Sequence, residues 1–373
     1  MENTQSIRLP AYTIGPQAYQ AFVETVRPLG RRVLLTGGEK ALQAGRKAVE
    51  DAMEGSSLEL AGVFLYGEDC TFQAAQALAS KAKAVGAEVI AGMGGGRALD
   101  TAKACGHLLN LPVVTLPTIA ATCASVTALS VMYREDGTFD RFLFLSSPPA
   151  HAFIHTGIIA KAPFSYLRAG MGDSIAKHVE STFSAKNDTV SHADAMGLAI
   201  GKTCYEPLMR LGVKALADCE RGIDSPELRE AILSIIVSTG LVSILVKDAY
   251  NGALAHSLYY ALESHPAIRR CLHGDVVAYG VLVQLVLDGQ LDEMERVYNF
   301  LARLRVPLSL AAMGINPEAP DFDHYFEEIV GQPDMAHLPY PITPAMVRAA
   351  IKAVEDYDAA HGAKLTQEVL PIV

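Results

Sequence analysis

Three side chains far apart in the chain, Asp173, His256 and His273, are of the types that bind divalent metal. One carboxylate and two imidazoles can close around an ion and leave a fourth position for water or substrate, as a catalytic zinc site requires. Asp173 follows Gly170-Met171-Gly172, where a carboxylate can open a helix. His256 stands among Ala253-Leu254-Ala255 on an otherwise apolar stretch, and His273 precedes Gly274 at the start of another. Spacing alone favours the bland reading: Asp173 as an N-cap and each histidine as a hydrogen-bonded core residue.

A second constellation is Val89-Ile90-Ala91-Gly92-Met93-Gly94-Gly95-Gly96-Arg97, running into Ala98-Leu99-Asp100-Thr101-Ala102-Lys103. A buried strand enters consecutive glycines and then a helix. Glycine lets the backbone approach a phosphate, and the helix start offers free N–H groups and the positive end of a dipole. The sequence is not GxGxxG, and a tight strand–helix turn without a ligand satisfies the same pattern.

These residues need elements to hold them. Short apolar runs alternate with Ala-rich helical stretches over the first 160 residues: Val33-Leu34-Leu35-Thr36, Ala61 to Tyr66, Ala87 to Ala91 and Val113 to Leu116, with helical patterns at Phe72 to Val85 and Ala98 to Leu109. This alternation predicts an α/β domain with an open parallel, Rossmann-like sheet. A hairpin is expected between Val131-Met132-Tyr133 and Phe139 to Leu145, turning at Arg134-Glu135-Asp136-Gly137. Beyond Lys161-Ala162-Pro163 strand signals nearly vanish. Helical spacing runs over 165–183, 189–212, 226–247, 250–263, 275–288 and 292–304. The expected organisation is an α/β domain over 1–161 and an all-helical domain over 162–373, with a ligand cleft between them.

Composition narrows the partners. Half of the 373 residues are hydrophobic and 19% are charged, enough apolar material for a large core. The net charge of -10, with no Trp and 7% aromatic residues, argues against nucleic acid and anionic membrane surfaces. The six cysteines form no CxxC pair, which predicts reduced thiols in a cytosolic protein. Met1-Glu2-Asn3-Thr4-Gln5 is polar, unlike a signal peptide, and no run of about 18 apolar residues suggests a membrane span.

Gly94-Gly95-Gly96 followed by Asp100 and Lys103 resembles the GGGxxxDxAK motif of the iron-containing alcohol dehydrogenase and glycerol dehydrogenase superfamily. Leu116-Pro117-Thr118-Ile119-Ala120-Ala121-Thr122 resembles its PTIAST segment. Ala128 to Tyr133, Asp136-Gly137, Ala169 to Asp173 and His273-Gly274 continue the likeness in order over most of the chain. The resemblance implies a dehydroquinate synthase-like fold and metal ligation by Asp173, His256 and His273. Gly94, Gly95, Gly96 and Arg97 would bind the pyrophosphate, with Asp100 and Thr115 in the coenzyme site. Thr118, Thr127, Leu129 and Tyr133 would line the nicotinamide and its ribose.

Departures from the pattern refine the expectation. Ferrous-iron members carry a fourth ligand, a histidine one turn after the aspartate; here that position is Lys177, which favours zinc. Tyr259 stands where glycerol dehydrogenases usually have a second histidine, and is a candidate substrate contact. Cys123 stands where they carry an aspartate for a substrate hydroxyl. The Ala121-Thr122-Cys123-Ala124 variant resembles a branch that reduces 2-oxo acids, so a small 2-oxo acid or aldehyde is expected in place of glycerol. Cys123 also reads as a small buried filler. After the first strand, Gly37-Gly38 leave room for a 2′-phosphate that Lys40 would pair, whereas Glu39 would instead accept a ribose hydroxyl. The coenzyme is therefore NAD(P), with a lean to NADP.

The expected protein is thus a metal-dependent NAD(P)-linked dehydrogenase acting on a small-molecule alcohol or 2-hydroxy acid. By resemblance it is a homo-oligomer, from dimer to octamer. Three other readings compete: a sugar-phosphate cyclase, a glycerol dehydrogenase that tolerates Cys123, and a non-catalytic nucleotide-binding protein. The cyclase needs a Lys/Arg cluster that is not seen around 118–133 or 256–273.

Overall fold

The computed structural model describes residues 6–368. The signal-peptide reading at residues 1–5 lies outside them. The chain divides into two compact units, Met1–Phe164 with Asp218–Ile244, and Ser165–Ala217 with Leu245–Val373.

Among its described residues the first unit has eight strands: β1 (Tyr12–Gly15), β2 (Arg32–Gly37), β3 (Glu59–Leu65), β4 (Val89–Gly94), β5 (Val113–Pro117), β6 (Leu129–Tyr133), β7 (Phe139–Phe144) and β8 (His151–His155). Six form one parallel sheet in the order β1-β8-β5-β4-β2-β3, while β6 and β7 form the antiparallel hairpin expected around Gly137. Central strands are apolar on both faces because helices cover both. Leu34, Ile90 and Val113 pack under helices Phe72–Ala84 and Gly96–Leu109. Leu35, Ala91, Met93 and Leu116 face the layer that includes helix Glu39–Met53. β1 and β8 escaped the sequence reading: β1 is only four residues long, and β8 begins and ends in histidine, which leaves an apolar run of three.

Connections leaving β2 and β4 run in opposite directions along the sheet. The crevice at their carboxyl ends is therefore the topological switch point where such sheets bind ligands. Gly37 pairs with Met93 there, bringing the 37–38 and 94–96 glycines side by side.

Among its described residues the second unit contains helices and no strand. The sequence predicts one boundary near 161, but the chain crosses between units at 164–165, 217–218 and 244–245. The reason is the segment Asp218–Ile244, which returns to the first unit; it holds all but the last residue of the apolar helical stretch Pro226–Leu245, with a π-helical turn at Leu233–Ser238. This stretch has no unbroken run of 18 apolar residues, but it passes the length and hydropathy of a membrane-spanning helix. It is long and apolar enough, yet 61% of it is buried inside the protein, as in a core helix. No disulfide joins the six cysteines.

Candidate active site

In the second unit, Asp173, His256 and His273 converge, with one ligand atom from each lying within 4.8 Å of the others. Asp173 sits in the middle of helix Phe164–Ser184, not at its start as the preceding glycines suggest. Those glycines serve a helix crossing instead. A Cβ on Gly172 would lie 2.3 Å from the carbonyl oxygen of Gly274, and one on Gly274 would lie 1.9 Å from that of Ala169. Only glycine lets these backbones touch, and the touch brings Asp173 beside His273. Arg168 locks the crossing from one side, its Nε and Nη2 meeting the two oxygens of Asp275 at 3.0 and 2.5 Å.

Asp173 Oδ1 lies 3.4 Å from His256 Nε2 and 3.5 Å from His273 Nε2. Tetrahedral ligands at ~2.0–2.2 Å from a divalent ion stand ~3.3–3.6 Å apart. The donor set therefore fits a metal ion in both chemistry and spacing. Burial alone would raise the Asp173 carboxyl, but hydrogen bonds from His256 and His273 outweigh it and hold the group far below the usual carboxylate range. Burial would lower His256, yet the Glu180 charge and the Asp173 hydrogen bond push it up to about 10. Two carboxylates thus focus negative potential on one imidazole, a setting that favours a cation.

Glu180 is the residue the sequence reading missed. Asp173, Lys177, Glu180 and Ser184 recur at helical spacing on one stripe, all buried. A run of polar residues on the buried stripe of a helix was the available signal. Lys177 does not point at the ligands as a fourth donor; its ammonium donates to the backbone oxygen of Asn251 at 2.6 Å and to its side-chain oxygen at 3.3 Å. Tyr259 stands edge-on against the His273 ring, with centroids 4.3 Å apart, and its hydroxyl donates to Glu263.

The glycine loop lies in the first unit. Gly94 has φ +146°, and Gly95 caps helix Gly96–Leu109 without a side-chain hydrogen bond, so its first amides are open. A Cβ on Gly95 would lie 2.6 Å from Ile119 and one on Gly96 3.2 Å from Thr122, so the 118–122 segment closes over the loop. Thr118 donates its N–H to the Gly94 oxygen at 3.1 Å. A glycine turn with open amides at a helix start is the kind of backbone that can receive an anionic group.

Other predicted coenzyme residues sit beneath that surface. Asp100, Thr115 and Thr127 are buried. Asp100 accepts from the Val131 amide, and the Thr115 hydroxyl donates to the Ser125 oxygen. Lys103 donates to the oxygens of Ala124, Thr127 and Leu129. These residues shape the loop from within, because their polar groups are already engaged. Arg97 pairs with Asp69 at 2.8 Å and lies over the Tyr133 ring at 4.7 Å. Glu39 and Lys40 open helix Glu39–Met53, both exposed, next to Gly38. Cys123 is half-buried, 3.6 Å from where a Cβ on Gly240 would stand.

The sequence profile described as iron-containing alcohol dehydrogenase matches residues 10–154. Glycerol dehydrogenase from Escherichia coli is 30% identical over 353 residues, covering 93% of this chain and 95% of that protein. The chain belongs to the iron-containing alcohol dehydrogenase family. Within that family, Escherichia coli hydroxycarboxylate dehydrogenase A is 34% identical over 275 residues, 73% of this chain and 76% of that protein. The fold is that of the crystal structure of glycerol dehydrogenase from Schizosaccharomyces pombe, with a TM-score of 0.86 at 24% identity, over 98% of this chain and 93% of that one. As a member of the iron-containing alcohol dehydrogenase family, the protein is an oxidoreductase acting on CH–OH groups.

Proposed function

We propose that this enzyme interconverts a small 2-oxo acid, or an aldehyde, and its alcohol with NAD(P)(H), at one zinc ion held by Asp173, His256 and His273. The observation that carries the substrate reading is Cys123 in Ala121-Thr122-Cys123-Ala124. A thiol is a poor partner for a polyol hydroxyl, and a neutral side chain does not repel a substrate carboxylate. The similarity to hydroxycarboxylate dehydrogenase A supports the same substrate class.

When bound, the divalent ion polarises the substrate carbonyl or lowers the pKa of the alcohol. The chain's own residues bind and orient. Open amides at Gly95 and Gly96 receive the pyrophosphate, and Thr118 keeps the neighbouring strand end closed over them. Tyr259 packs on His273 and fixes its ring plane. No side chain is assigned as a general base.

The lean to NADP rests on Lys40, an exposed cation in the first helical turn after Gly38. Zinc follows from a three-residue ligand set whose next-turn position, Lys177, is occupied with Asn251. A cytoplasmic homo-oligomer, from dimer to octamer, is the assembly we infer; edge strand β1, with Tyr12 exposed on it and Leu9 exposed just before it, suits self-association.

A panel of 2-oxo acids, aldehydes and glycerol, run with both NAD(H) and NADP(H), tests the reading. Reduction of a 2-oxo acid with the highest kcat/KM is the expected result, and glycerol oxidation exceeding it overturns the substrate class. Elemental analysis of protein purified without chelator should find one zinc per chain. Asp173→Asn should lose both metal and activity.

A further inference from the structure

We propose that Glu180 is a positioning residue of the metal centre: it holds the His256 imidazole with its proton on Nδ1, leaving Nε2 as the donor beside Asp173 and His273. The proposal rests on the metal-site reading above.

The Glu180 side chain is 0% exposed, and its two oxygens have separate tasks. Oε1 accepts from the backbone N–H groups of Ala253 at 2.8 Å and of His256 at 2.9 Å. Amides only donate, so this oxygen is fixed and with it the carboxylate plane. Oε2 is then delivered to His256 Nδ1 at 2.5 Å. An ionised carboxylate only accepts, so the proton of that contact belongs to Nδ1.

The anchoring is unusual in its source. Helix Leu254–Leu262 begins at Ala253, which has no side chain able to cap it. Glu180, on another helix, takes over that task and so ties the start of the His256 helix to the Asp173 helix. The flanking residues of the same stripe grip the same segment: Lys177 holds Asn251, and Ser184 donates to the oxygen of Gly252 at 3.3 Å. Glu180 alone among these three touches the imidazole. Partners of this kind are worth about 10–100-fold in metal affinity.

Glu180→Gln separates orientation from capping. Its single oxygen can still accept from the two amides, but its NH2 then faces Nδ1 and drives the ring proton to Nε2, against the metal. Competition with a chromophoric chelator for zinc should show affinity about 10–100-fold below wild type. The control Ser184→Ala, which loosens the same segment without touching the ring, should stay within about twofold of wild type. Equal losses in both variants, or none in Glu180→Gln, overturn the proposal while leaving the metal site standing. Failure of the wild type to bind zinc at one per chain overturns the metal-site reading and this proposal with it. If Glu180→Gln does not fold, wild-type protein carrying 15N-histidine and loaded with 113Cd answers directly. Cadmium coupling to Nε2 of His256, with Nδ1 still protonated, supports the proposal, and coupling to Nδ1 of His256 overturns it.

Discussion

The ammonium of Lys103 lies 2.7 Å from the carboxylate of Asp100 inside the first unit, with side chains 1% and 6% exposed. The same ammonium donates to three backbone oxygens between Ala124 and Leu129. One buried cation therefore ties helix Gly96–Leu109 to the segment that leads from Cys123 into the hairpin. Lys103→Met would strand the Asp100 charge and three carbonyls without their donor. Burial already pushes the Asp100 carboxyl up, with Lys103 opposing that rise. The expected loss is about 3–5 kcal/mol of stability, read by urea unfolding. Unchanged stability would show that the pair is not the tie described.

Gly274→Ala tests the helix crossing that assembles the metal ligands. The added Cβ would meet the Ala169 backbone, which cannot rotate away. Separation of the two helices should cost about 1–3 kcal/mol and move His273 off Asp173. The measurements are thermal unfolding and metal content after dialysis. A variant that keeps full zinc occupancy would show that the close approach does not set the site.

Cys123→Asp introduces a carboxylate at the proposed substrate contact, where the family resemblance expects one in a glycerol dehydrogenase. The ratio of glycerol oxidation to 2-oxo acid reduction, in kcat/KM, should rise by about tenfold or more. A ratio that does not move would place Cys123 outside the substrate contacts, as a packing residue against Gly240.

Asp188 gives a pH prediction. Hydrogen bonds from Lys247, Tyr250 and His337 hold its carboxyl well below the usual carboxylate range. A depressed folded-state pKa means stability that is present above the unfolded value, about pH 4, and is lost as the pH falls below it. Asp188→Asn should therefore melt below wild type at pH 7. The gap should shrink steadily from about pH 4 downward. A gap independent of pH would indicate that the charge on Asp188 contributes nothing.

The parallel sheet, the hairpin and most helices were legible because hydrophobic periodicity records which face each element buries. β2, β4 and β5 read as strands since both their faces are covered. β1 did not, being four residues long, and β8 did not because a histidine at each end leaves only three apolar residues between them. The metal triad was legible as residue types and family likeness, but spacing alone left Asp173 open as a helix cap.

What the linear chain determined is therefore the inventory: the glycine loop, the carboxylate and two histidines, and a thiol in place of an acid at 123. Only the folded chain decided how they act. Gly172 and Gly274, 102 positions apart, matter because their backbones meet. Asp218–Ile244 belongs to the first unit though it follows residues of the second. Glu180 reads as one more helical acid until its two oxygens are seen on Ala253 and His256. Periodicity encodes burial within one element. Contacts between elements depend on the angle and distance at which they pack, which no local pattern carries.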